Sequence, residues 1–311
     1  MYNALMNTPN TPQRRRIWVM GDAHIGHVSD DRDGGEWLRM SVGDAVGEVG
    51  GIDYVINVGD LGHQSLDEQL RTYAEIRESS GVSPWFEVSG NHDMKSVVRG
   101  AYADIAGCPR YWTLVDGNIA FFSLSAERGN AAGLLVPEVE AWLRERIAAH
   151  EGKNIIVCAH QFPYDTVDRS TRPARCLYPR DAVKRFLNDV RIDLWLGGHI
   201  HSGPRQKTAT VTKGATTFIN VASVSHTYGT EVCNSVFLDI EKDSRQVTAR
   251  CRDHDNERFM DDHEVMVGLA YPAELGKDGP VFEPFELEVP EFYRSIHDEQ
   301  VDDFGRYRDA G

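Results

Sequence analysis

The chain has 311 residues, 41% hydrophobic and 26% charged, with a formal net charge of −15 at pH 7. That length can bury one large α/β domain plus an appendage, and no run of about 18 apolar residues marks a membrane-spanning helix. Five cysteines, scattered and without a CxxC pair, exclude a disulfide framework and read as thiols of a reducing, cytoplasmic interior; no apolar stretch of signal-peptide length precedes the first strand.

Residues 1–14 are polar, contain Pro12 and read as a loose N-terminal segment. The domain is expected over residues 15–252. Its first apolar run, residues 17–24 (IWVMGDAH), is short and closed by Gly21, the pattern of a buried parallel strand. Residues 35–48 follow with apolar side chains at helical spacing. A second run, residues 54–60 (YVINVGD), precedes a second helical stretch at 65–79, and a third, residues 85–93 (WFEVSGNHD), ends in polar residues. Residues 119–124 (IAFFSL) look like a strand of another sheet. Residues 137–150 open with Pro137 and Glu138 and read as a helix start.

The fourth run is residues 154–160 (NIIVCAH) and the fifth is 192–201 (IDLWLGGHIH). Between them lies a loop, residues 162–180, with Arg169, Arg172, Arg175 and Arg180, ahead of a helix near Ala182. This loop follows His160 directly and is expected to overhang the site, where Arg169, Arg172 and Arg175 are candidate binders of substrate phosphate. After His201 the pattern changes to short strands at 216–221, 236–240 and 247–251. Strand–helix alternation followed by strands alone predicts two packed sheets with helices outside. Residues 253–311 hold 17 acidic and 5 basic side chains, an excess of 12 negatives. They carry Phe282, Phe285, Phe292 and Tyr293 without a helical or strand period, and read as an acidic C-terminal extension lying along the domain.

The five runs share a design: strand, tight turn, then metal-seeking side chains. In open α/β sheets the site forms beyond the carboxyl ends of the strands. Asp22, His24, Asp60, Asn91, His92, His160, His199 and His201 should therefore gather at one rim. Two carboxylates, an amide and several imidazoles at one rim form a ligand set for two metal ions. Mixed imidazole and carboxylate ligation suits manganese, iron or zinc better than magnesium alone and does not single one out; two divalent ions are expected, with manganese favoured. His27, His63 and His226 read as ordinary surface or supporting histidines.

With these residues the chain resembles the calcineurin-like metallophosphoesterases, whose motif runs D-x-H, GD, GNH-D/E, H, GH-x-H. It supplies Asp22-Ala23-His24, Gly59-Asp60, Gly90-Asn91-His92-Asp93, His160 and Gly198-His199-Ile200-His201. The resemblance implies a four-layer αββα sandwich of two mixed sheets. It also implies one divalent metal on Asp22, His24, Asp60 and His201 and another on Asp60, Asn91, His160 and His199, bridged by Asp60. His92 would assist the leaving-group oxygen. Asp60-Leu61-Gly62-His63 lacks the GDxVDRG block of the protein phosphatases, and His63 stands where purple acid phosphatases place a tyrosine ligand.

Two cations about 3.5–4 Å apart can clamp the attacking and leaving oxygens of an in-line phosphoryl displacement and acidify a bridging water. The implied function is a metal-dependent phosphoesterase, with a phosphodiester favoured, using a metal-bridging hydroxide. Phosphomonoester hydrolysis and a nuclease of the DNA-repair type are the alternatives; a scaffold without metals is the least favoured, because every ligand position is filled. Asp22-Ala23-His24-Ile25-Gly26 and His160-Gln161 look like the repair nucleases. Nucleic acid is nevertheless the less favoured substrate, since an acidic extension repels a polyanion.

Overall fold

The computed structural model describes residues 12–107, 109–125 and 132–287. Three strands open the chain: β1 (Arg14–Met20), β2 (Tyr54–Asn57) and β3 (Trp85–Glu87), parallel and adjacent. They are buried along nearly their whole length, which is why they read as unbroken apolar runs. A second sheet is then laid down by β4 (Tyr111–Asp116), β5 (Ile119–Leu124), β6 (Asn154–Ala159), β7 (Leu194–Gly197), β8 (Thr210–Lys213) and β9 (Thr216–Asn220). β5, β6, β7 and β9 run parallel, flanked by antiparallel β4 and β8. β10 (Asn234–Glu241), β11 (Gln246–Asp253), β12 (Arg258–Phe259) and β13 (Val265–Gly268) return to the first sheet, and β14 (Val281–Phe285) closes the second. Each sheet has seven strands.

Alternation along single strands fixes the layers. Ile119 and Phe121 of β5, with Ile156 and Cys158 of β6, join the core shared with the first sheet. Ala120, Phe122 and Leu124, with Ile155 and Val157, face the opposite way and pack with Val139, Trp142 and Leu143. Those last three belong to α3 (Pro137–Ala149) if the covering helices are numbered α1 (Gly34–Asp44), α2 (Asp67–Ser79), α3 and α4 (Arg180–Asp189). Leu38, Leu70 and Tyr73 of α1 and α2 bury against the first sheet. The order is helix, sheet, sheet, helix: the expected αββα sandwich. Across the sheets, Arg15 pairs with Asp116 at 2.7 Å and Trp112 Nε1 donates to Glu87 O at 2.8 Å.

α1 starts on a capping box. Asp33 accepts from Gly35 N at 2.7 Å, and Glu36 accepts from Asp33 N at 2.8 Å. The second Asp33 oxygen takes Gly26 N at 2.8 Å, tying the loop after β1 to the helix.

The described part of the extension lies along the domain, and it does so as strands that its sequence period does not announce. β12 and β13 pair with β11, and β14 pairs with β4 from Val281↔Val115 to Phe285↔Tyr111. Phe282 packs on Phe86 at 5.1 Å and Phe285 stacks on Trp142 at 5.6 Å. Edge strands with polar outward faces and a proline lack clean alternation, so the pairing leaves little trace in the sequence. Phe292 and Tyr293 lie outside the described residues. β5 is the strand expected over 119–124; its hairpin partner β4 is not among the expected elements, although the two-residue Gly117-Asn118 turn signals it. The four described cysteines are free and buried. No helix among the described residues is long and apolar enough to cross a membrane.

Candidate metal centre

Every ligand candidate stands just past the carboxyl end of a strand. Asp22 and His24 follow β1, Asp60 follows β2, and Asn91 and His92 follow β3; His160 follows β6, and His199 and His201 follow β7. The site therefore straddles both sheets at one rim. Adjacent parallel strands release their loops side by side, and these loops continue the ladder. Asp22 N donates to Gly59 O at 2.9 Å, His24 N to Asp60 O at 3.1 Å and Ile25 N to Leu61 O at 3.1 Å.

Asp22, His24, Asp60, His199 and His201 all have positive φ, between 46° and 67°. Left-handed backbone is costly for residues with a Cβ, about 1–3 kcal/mol each, and persists where surrounding structure over-determines it. Here it turns five side chains inward. Two glycines make room for them. A Cβ on Gly90 would stand 2.1 Å from Asp60 Oδ1, and one on Gly198 would stand 2.2 Å from Asp22 Oδ2.

Three groups of candidate ligand residues result; one is His24, His63 and His92, and Asp60 belongs to the other two. In one, His24 Nε2 lies 3.5 Å from Asp60 Oδ2 and 3.6 Å from Asp22 Oδ1, while His201 Nε2 lies 2.8 Å from Asp22 Oδ1. The Nε2 atoms of His24 and His201 face each other at 3.2 Å. The other cluster is Asp60, His160 and His199, with His160 Nε2 3.0 Å from Asp60 Oδ2. Asn91 adjoins it, its Oδ1 accepting from Gln161 Nε2 at 3.4 Å. In each cluster the potential ligand atoms all lie within 4.8 Å of one another.

The donor set fits divalent cations on this structure's own terms. Outward ring nitrogens are spent on carbonyls: His160 Nδ1 on Val58 O at 2.8 Å, His199 Nε2 on Ala174 O at 3.0 Å and His201 Nδ1 on Thr227 O at 3.2 Å. Donation there leaves the opposite nitrogen as a lone pair aimed at the carboxylates, the usual arrangement of ligating histidines. His160 Nε2 is buried and 3.0 Å from Asp60 Oδ2 without good hydrogen-bond geometry, an approach that a cation between them would suit.

Electrostatics agree. Burial alone would raise Asp22, yet His201 and His160 hold it well below the usual carboxylate range. Burial likewise opposes ionisation of Asp60, and His160 and His92 outweigh it, so Asp60 also stays ionised. Burial lowers His24 to about 4 and His199 well below its ordinary value. His160, with burial overcome by Asp60 and Asp22, is raised to about 9. Buried negative charge beside the neutral imidazoles of His24 and His199 is complementary to divalent cations, and at His160 a cation would take the place of the ring proton that Asp60 and Asp22 favour.

His92 sits differently. Its backbone N–H donates to Asp60 Oδ1 at 2.8 Å, its ring Nδ1 donates to His63 O at 2.6 Å, and its ring lies 4.7 Å from that of His24. His63, read as an ordinary histidine, stacks on His92 at 5.1 Å and stands 3.4 Å from His24, Nδ1 to Nδ1. His27 belongs to the same rim, 4.7 Å from His63. His226 does not, pairing with Asp255 at 3.0 Å. The sequence reading missed Tyr228, whose ring lies 5.6 Å from His24. No motif marks it: it lies beyond β8 and β9, on the irregular loop that leads into β10.

The arginines of the loop separate. Arg175 Nη1 donates to His199 O at 2.6 Å, so the tip of the loop does reach the ligands. Arg169 pairs with Asp168 at 3.3 Å, and Arg172 is exposed. Arg180 lies over Tyr164 at 4.1 Å, away from the ligands, beside a cleft of about 930 Å³.

A family model for calcineurin-like phosphoesterases matches residues 15–203, more than half of the chain. The chain belongs to the calcineurin-like phosphoesterase family. Among solved structures, a purple acid phosphatase from yellow lupin (Lupinus luteus) seeds superposes with a TM-score of 0.56 at 12% identity. The alignment covers 84% of this chain and 54% of that one, so this chain spans about half the length of that phosphatase. A predicted phosphoesterase from Streptococcus pneumoniae TIGR4 matches at 16% identity over 82% of this chain and 98% of that one, with a TM-score of 0.41. Vps29 from Chaetomium thermophilum matches at 14% identity over 87% and 98%, with a TM-score of 0.39. Comparison with curated proteins gave no match.

Proposed function

We propose that this calcineurin-like phosphoesterase is a metal-dependent hydrolase of a phosphate ester, with a phosphodiester favoured. One observation carries the reading: the buried Asp60 carboxylate belongs to two clusters, Asp22/His24/His201 and His160/His199, which complement two ions. Asn91 adjoins the second. Manganese is the favoured metal, with iron or zinc as other fits to imidazole and carboxylate donors. Two such ions, when bound, supply an electrophilic clamp on the phosphate and an acidified water.

The chain's own residues supply the rest. Asp22 and Asp60 stay ionised and carry the charge that holds cations. The Val58, Ala174 and Thr227 carbonyls fix the tautomers of His160, His199 and His201. The His92 ring stands half-buried beside His24, where an imidazole can give a proton to the departing ester oxygen. Arg175, at the tip of its loop, places a guanidinium beside His199 to orient a phosphate oxygen. A net charge of −15 repels a dianionic monoester more than a monoanionic diester, which supports the diester preference.

The test is metal content together with turnover of an aryl phosphodiester. Chelated protein should be inactive, and added manganese should restore it. Asp60→Ala should lose both clusters at once, with activity falling to background. Full turnover by metal-free protein in excess chelator would sink the reading.

A further inference from the structure

The open side of the metal centre is walled by rings. Tyr228 lies 5.6 Å from His24 and 5.5 Å from His201 by ring centroid, and stacks on His27 at 5.3 Å with planes 25° apart. Although imidazoles surround it, Tyr228 remains 56% exposed. Its backbone is held at φ 55°, ψ 30°, inside the short turn Thr227–Gly229. That region is an outlier for a bulky residue.

The surroundings enforce the strain. Thr227 O accepts from His201 Nδ1 at 3.2 Å and from Thr230 Oγ1 at 2.8 Å, while the Thr227 and Ser225 hydroxyls bond at 2.6 Å. The turn that fixes a ligand histidine thus also aims a solvent-facing phenol ring across the site. Strain of this kind, spent to expose a large ring beside ionised carboxylates, is unexplained by packing, which would bury the ring.

We propose that Tyr228, backed by His27, is a stacking platform for a planar ring esterified to the substrate phosphate, so that the natural substrates are ring-bearing phosphodiesters. This rests on the phosphoesterase reading and narrows it to a substrate class. A phosphate placed at the two clusters, between His24 and His201 on one side and His160 on the other, has Tyr228 within one ester linkage. A planar group offset-stacks on an exposed phenol ring at little entropic cost, because His27 already limits how the ring turns.

The test uses two diesters with the same leaving group, phenyl 4-nitrophenyl phosphate and methyl 4-nitrophenyl phosphate, on full-length, manganese-loaded protein. Only the arm that stays on phosphorus differs. Wild type should favour the phenyl ester in kcat/KM by roughly 3–10-fold, the scale of one aromatic contact. Tyr228→Ala should bring the ratio near one, and Tyr228→Phe should keep it. Phenylphosphonate and methylphosphonate binding, followed by calorimetry, should show the same preference and the same loss without any turnover. No preference in wild type, an unchanged ratio in Tyr228→Ala, or a loss in Tyr228→Phe equal to that in Tyr228→Ala overturns the platform. If neither diester is cleaved yet phenylphosphonate is preferred and Tyr228→Ala removes the preference, the platform stands and the hydrolase reading fails.

Discussion

The Asp93 carboxylate accepts the backbone N–H of Asp60 at 2.9 Å, and so holds from behind the residue common to two candidate metal clusters. The same carboxylate takes Leu61 N at 3.0 Å, Gly62 N at 3.3 Å and Gly90 N at 2.9 Å. It therefore staples the turn after β2 to the turn after β3. Burial and the Asp60 charge push Asp93 up to about 7, against the pull of these donors.

Asp93→Asn tests that role. An amide offers one oxygen where the carboxylate has two, and its NH2 would face backbone N–H groups. Asp60 keeps its side chain but loses its support. Metal affinity or activity should fall roughly 10–100-fold, as for other partners that orient ligands. Manganese titration checks affinity directly, and full activity with unchanged affinity would remove Asp93 from the account.

His92→Ala should keep its metals and lose rate, by roughly 10²–10⁴-fold with an alkoxide leaving group. With a nitrophenolate the loss should be much smaller, because that group departs without a proton. An equal loss for both esters would assign the His92 ring to positioning, through its Nδ1 bond to His63 O. Stopped assays on a matched pair of esters separate the outcomes.

Much of this site is legible in the sequence because its chemistry is strung on a repeated device. Each of the five buried parallel strands reads as an apolar run, and the residues right after it are the ligand candidates. Asp22, Asp60 and His160 could be placed at one rim before any coordinates. Asp93 stands in the Gly90–Asp93 motif, but its role as a staple is not legible there, because its four backbone donors come mostly from the turn after β2. Tyr228 was hidden more deeply. It belongs to an irregular turn whose backbone angles are imposed by Thr227 and Ser225, and no periodicity reports that. β14 was lost because an edge strand answers to Trp112 and Phe86 rather than to its own alternation.

The arginine loop should divide into two behaviours. Arg172 is exposed, so Arg172→Ala should raise KM only about two- to threefold, and the effect should vanish at high salt, where screening shortens to a few ångströms. Arg175 is half-buried and bonded to His199 O. Arg175→Ala should lower kcat as well as raise KM and respond less to salt. Identical salt dependence for the two variants would contradict this division.

Acid stability should depend on Asp44, at the far end of α1 from the ligands. Arg252 donates to both its oxygens, with Nε at 2.9 Å, and His254 Nδ1 donates at 2.6 Å. Burial would raise Asp44, but these bonds lower it to about 2, against about 3.9 in an unfolded chain. A depressed carboxylate stabilises the fold fully above pH ~4 and loses that contribution as pH falls toward 2, here about 2–3 kcal/mol. His254, lowered by burial, acts in the same direction from about pH 6.5 downward, since the unfolded chain binds that proton first. Asp44→Asn leaves Arg252 buried without its counter-charge, which should cost roughly 3–5 kcal/mol at pH 7. The gap to wild type should then narrow steadily between pH 4 and 2. Urea denaturation of both proteins across that range measures it, and parallel curves would mean that Asp44 titrates in the folded protein as it does in the unfolded one.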